Sequence, residues 1–87
     1  MDSVVTSERT ATRDEVLPFR RALRKLAAEH GLTEARIDTT GTVIVHSEQP
    51  GYGPLRRFAT DASAQVGLWV NVITDDVPAA KGHADPL

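Results

Sequence analysis

Residues 42–77 read TVIVHSEQPGYGPLRRFATDASAQVGLWVNVITDDV, and this stretch decides the fold. Val43-Ile44-Val45 is a β-branched run of the kind buried in a sheet. Gln49-Pro50-Gly51-Tyr52-Gly53 is dense in turn residues. Pro54 can open a helix, because its missing N–H is not needed in a first turn. Leu55, Phe58, Ala59, Ala62 and Val66 then recur at helical spacing and leave Arg56, Arg57, Asp61 and Gln65 towards water. Gly67 suits the left-handed position that ends a helix. Leu68-Trp69-Val70-Asn71-Val72-Ile73-Thr74 supplies a second strand, closed by Asp75-Asp76 and Pro78. Strand, crossover helix and strand together make a βαβ unit.

Upstream, Thr12-Arg13-Asp14-Glu15 matches a capping box, in which Thr12 and Glu15 satisfy each other's orphan backbone donors. Val16, Phe19, Leu23, Leu26, Ala27 and His30 mark one helical face, and Gly31 ends it. Pro18 lies too deep for a regular helix starting at Thr12. One helix with an irregular first turn reconciles the two signals. Glu34 to Thr39 alternates as a weak strand, and Thr40-Gly41 suits a two-residue hairpin turn. In that register Ile37 faces Ile44 and Thr39 faces Thr42. Met1 to Ala11 has no periodicity, and Ala79 to Leu87 follows Pro78 with alanine, glycine and proline; both read as disordered.

The fold expected is therefore α+β (or small α/β) in the order α-β-β-α-β, with both helices on one face of a small mixed sheet. It occupies residues 12–78, between a disordered N-terminus (1–11) and a disordered tail (79–87). With 87 residues there is room for one domain, close to the lower limit for a self-sufficient core. Charged residues at 25% and apolar ones at 40% describe an ordinary globule. A net charge of −2 argues against a general polyanion binder. The absence of cysteine excludes disulfides and thiolate metal sites. No stretch approaches a membrane span, and the polar start lacks a signal core, so a cytoplasmic location is expected.

Candidate chemistry is sparse. His46-Ser47-Glu48 puts His46 and Glu48 on one face of a strand, but two ligands make no metal site. His30 suits a helix C-terminus, and His83 lies in the tail. Asp75 and Asp76 point to opposite faces and are explained by turn formation. Pro50-Gly51-Tyr52-Gly53-Pro54 lacks the lysine and spacing of a phosphate-binding loop. The serines have no identifiable histidine partner for a hydrolase triad. Arg20, Arg21, Arg24 and Lys25 form either a solvated helix face or, with Arg56 and Arg57, a basic patch. Trp69 fits an interface anchor or a core position equally well.

Val43 to Gly51 resembles the buried strand and Pro-Gly turn of a minimal nucleotidyltransferase domain, the DNA polymerase β-like fold used by many prokaryotic antitoxins. Ala64 to Asp75 resembles that family's helix end, glycine and final strand, and Leu26 to Leu32 its first helix and exit. The family's Gly-Ser signature is missing near Ile37 to Gly41. Its Asp-x-Asp metal pair falls on Thr40-Gly41-Thr42, and Asn71 stands where a third acidic residue is expected. The resemblance thus implies a shortened, catalytically dead relative without a cofactor. The small core, the missing active site and the exposure open to Tyr52 and Trp69 give the expected function: a non-catalytic, antitoxin-like interaction module, not an enzyme. It binds a protein partner or a second copy through Tyr52, Trp69 and Asn71. The alternative is a small nucleic-acid binder using Arg20, Arg21, Arg24, Lys25, Arg56 and Arg57. A partner through the last strand is favoured by its lack of lysine, proline or inward charge.

Overall fold

The computed structural model describes residues 10–48 and 53–87. The turn expected at Gln49–Tyr52, with Tyr52 itself, and residues 1–9 lie outside the described residues. Helix α1 (Arg13–Val16) passes through a 3-10 turn (Leu17–Phe19) into α2 (Arg20–Glu29). Strands β1 (Leu32–Asp38) and β2 (Val43–Ser47) follow, then α3 (Gly53–Val66) and β3 (Val72–Thr74). A second 3-10 turn (Pro78–Lys81) leads to β4 (Ala84–Pro86). The fold is α+β, and its four-stranded sheet runs β3-β2-β1-β4.

Pro18 explains the break in the first helix. It sits in the tighter turn, where the missing N–H and fixed φ are tolerated, and the chain resumes α-geometry at Arg20. Glu15 accepts the Thr12 N–H at 2.9 Å, as the capping pattern requires. Gly31 and Gly67 end α2 and α3 with φ of 76° and 90°.

β2 and β3 pair in parallel on either side of α3, which is the βαβ unit read from the sequence. Leu23 and Ala27 of the first helical segment meet Phe58 and Ala62 of α3 over Ile37, Val43 and Val45 of the sheet. Both helices therefore cover one face. Ile44 alternates with its neighbours and points to the other face, yet it is only 1% exposed and lies outside that cluster. The link from β3 to β4 has to pass from one sheet edge to the other, and it carries Ala80, which is also buried outside the cluster.

Several expectations are corrected. The hairpin register places Ile37 opposite Val43 and Arg36 opposite Ile44, one residue from the register expected. Residues 39–42 join the two strands, and the Asp38 side chain accepts the Thr40 N–H and the Thr42 N–H, both at 2.9 Å, closing a wider turn than the two-residue one expected. The segment expected as a disordered tail instead forms β4, which pairs antiparallel with β1 and buries Leu87. Ala11, placed in the disordered N-terminus, is also buried, because its N–H donates to the Trp69 carbonyl at 2.7 Å. This docking, with the Ser63 hydroxyl accepting the Val70 N–H at 2.8 Å, shortens the last strand from Leu68–Thr74 to Val72–Thr74.

Candidate partner-binding surface

Trp69 follows the glycine that ends α3, and its backbone is fixed by the bridge to Thr10. Its indole is nonetheless 42% exposed, the one large hydrophobic side chain so exposed among the described residues. An open groove of about 360 Å³ runs beside it, between α3 and β3. Leu55, Ala59 and Val72 give the groove an apolar floor, while Arg56, Thr60 and Asn71 supply polar groups. A large apolar body with one N–H, next to mixed apolar and polar walls, suits the centre of a protein contact. The structure thus brings Trp69, Asn71 and Arg56 to one place.

Asn71 also reaches inward. Its Nδ2 donates to the Thr42 hydroxyl at 3.1 Å, and that hydroxyl lies 3.2 Å from the hydroxyl of Thr40. Thr40 in turn donates to Asp38 at 2.7 Å. The three neutral side chains at the positions compared with a metal-binding acidic set are therefore joined in one network. Burial pushes the Asp38 carboxyl up, but hydrogen bonds from the Thr40 hydroxyl and the N–H groups of Thr42, Thr40 and Gly41 outweigh it. The net effect holds Asp38 below the usual carboxylate range. Among the described residues no three His, Cys, Asp or Glu side chains converge as metal ligands.

The basic residues are divided. Arg20, Arg21, Arg24 and Lys25 are exposed on α2. Arg24 lies in a groove that also holds Glu34, whereas Arg56 and Arg57 share another with His30 and Asp61. Each of these grooves contains an acid, which weakens the potential a phosphate backbone would meet.

Two histidine–aspartate pairs escaped sequence reading because they join distant segments. His30 Nε2 lies 2.8 Å from Asp61 Oδ2, linking the end of α2 to α3. His46 Nδ1 lies 3.1 Å from Asp75 Oδ2, at the C-terminal ends of the parallel strands β2 and β3. Only the parallel pairing of these strands, not any spacing, brings the second pair together.

No protein-family model matches the chain, and neither a curated protein nor a solved structure matches it. Among the described residues no helix is long and apolar enough to cross a membrane.

Proposed function

We propose that the protein is a non-catalytic protein-interaction module, antitoxin-like and derived from a shortened nucleotidyltransferase fold. The observation that carries the interaction reading is Trp69, exposed beside the apolar groove and next to an edge strand of the sheet. The network of Asn71, Thr42 and Thr40 supports the kinship: the positions compared with the family's acidic residues are close in space but carry no carboxylate. Neutral oxygens of this kind hold Mg²⁺ and a triphosphate far less well than paired carboxylates. The split basic residues favour a protein partner over nucleic acid.

The test is affinity capture from the native host with wild-type protein and Trp69→Ala as paired baits. A protein retained by the first and lost with the second is the expected result. Transfer of radiolabel from ATP to any acceptor, above a boiled control, overturns the non-catalytic reading.

A further inference from the structure

We infer that the groove beside Trp69 receives an extended acidic and apolar peptide segment of a partner protein, with a carboxylate on Arg56 and an apolar side chain on the floor. This rests on the interaction reading and names the chemistry of the occupant.

The floor of Leu55, Ala59 and Val72 offers carbon, so what fills it has to bring an apolar side chain. Charge decides what accompanies that side chain. Arg56 is the one charged residue in the lining, and no acid lines the groove. Arg56 is exposed, and among the described residues its guanidinium has neither an ion-pair nor a hydrogen-bond partner. The indole N–H of Trp69 likewise has no acceptor among them. Asp61, the acid of the adjoining groove, lies 2.8 Å from His30 instead. A free cation and an unused N–H beside an apolar floor fit a carboxylate carried next to an apolar side chain. A basic segment would set like charge on Arg56.

The edge strand makes the occupant a peptide. In the ladder with β2, the Val43 N–H donates to the Asn71 carbonyl at 2.8 Å and the Asp75 N–H to the Val45 carbonyl at 2.9 Å. Val72 alternates with the residues that face β2, so its own N–H and carbonyl turn outward at the sheet's edge. An extended segment laid against Val72 bonds both groups, and its alternate side chains fall on the groove side. A small free carboxylate would leave the two backbone groups to water.

Fluorescence of the single tryptophan tests the proposal, with circular dichroism confirming that each variant is folded. The probe is an acetylated and amidated hexapeptide of leucine and aspartate, beside counterparts carrying asparagine or lysine in place of aspartate. A saturable blue shift is expected with the aspartate peptide, and binding about tenfold weaker with either counterpart. Arg56→Glu should turn the preference towards the lysine peptide. Arg57→Glu makes the same change of net charge at a residue outside the groove's lining, and should leave the preference as it was. No saturable shift with any peptide, equal binding of the aspartate and asparagine peptides, or a preference that ignores Arg56→Glu or follows Arg57→Glu overturns the acidic occupant. If a host protein is nonetheless captured through Trp69, the interaction reading stands without it. If nothing is captured either, both fall.

Discussion

The Arg13 guanidinium donates to the Asp85 carboxylate at 2.7 Å, spanning 72 residues of sequence. A second nitrogen of the same group reaches the Asp38 carbonyl at 3.3 Å, at the end of β1. One side chain thus fastens the first helical turn to β1 and to β4. The Arg13 hydrogen bond, with a smaller contribution from His83, holds the Asp85 carboxyl below its usual range. Asp85→Asn should lower the thermal midpoint and hasten proteolysis within residues 84–87. A depressed folded value means that this contribution is present above the ordinary carboxylate value, about 3.9, and is lost as pH falls through the folded one. Melts at pH 7 and at pH 3 check it: the gap between wild type and variant should shrink in acid.

Gly41 has φ of 96° and is packed against the start of α1. A Cβ built on it would lie 2.6 Å from the Arg13 nitrogen and 2.8 Å from the Thr12 carbonyl carbon. These are backbone atoms that cannot turn aside. Gly41→Ala should cost about 2 to 4 kcal/mol, from left-handed strain and forced separation together. Gly31→Ala serves as control: its φ is also positive, at 76°, but nothing lies within 4 Å of the added carbon. A denaturant titration in which the two cost the same would contradict the close approach.

Asp38 closes the hairpin turn through three hydrogen bonds, from the Thr40 N–H and hydroxyl and from the Thr42 N–H. Asp38→Ala should cost about 2 kcal/mol at neutral pH. Asp38→Asn keeps an acceptor oxygen and removes only the charge, so its smaller loss isolates the effect of ionisation. Because the folded carboxyl is held below its ordinary value, the charge stabilises above about pH 4 and this support fades as the pH falls through the folded value. Urea midpoints for wild type and Asp38→Asn should therefore converge in acid.

Ile44 tests the second layer of the sheet. If the β3–β4 crossing covers it, Ile44→Ala should cost about 2 to 4 kcal/mol, as in the main core. Substitution of an isoleucine facing water would cost far less. Chemical denaturation alongside Val43→Ala, on the helix-covered face, makes the comparison.

Much of the fold was legible where local rules act alone. The spacing from Leu55 to Val66, the glycine after each helix and the β-branched run at Val43–Val45 all depend on near neighbours, and each element formed as read. The hairpin register was not legible, because both registers satisfy alternation and the Asp38 side chain decides between them. Positions 84–86 carry too few apolar residues to announce a strand; β1 supplies the ladder that makes them one. Trp69 was ambiguous between core and surface, and only the docking of Thr10 and Ala11 on its backbone fixes its place. The interhelical pair His30–Asp61 had no signal in spacing.

The strand order β3-β2-β1-β4 also sets an order of assembly. The two central strands are consecutive in the chain and are separated by residues 39–42, so their contact closes a short loop at small entropic cost. Each edge strand is reached only by a longer crossover, and such contacts form later on the folding route. The sheet is therefore expected to grow from its middle outward, with its rims the first parts to open when the native state breathes. Amide protons of β1 and β2 should outlast those of β3 in exchange with deuterated solvent. A rim that met another chain would then be the part of the molecule that ordering by a neighbour stabilises most.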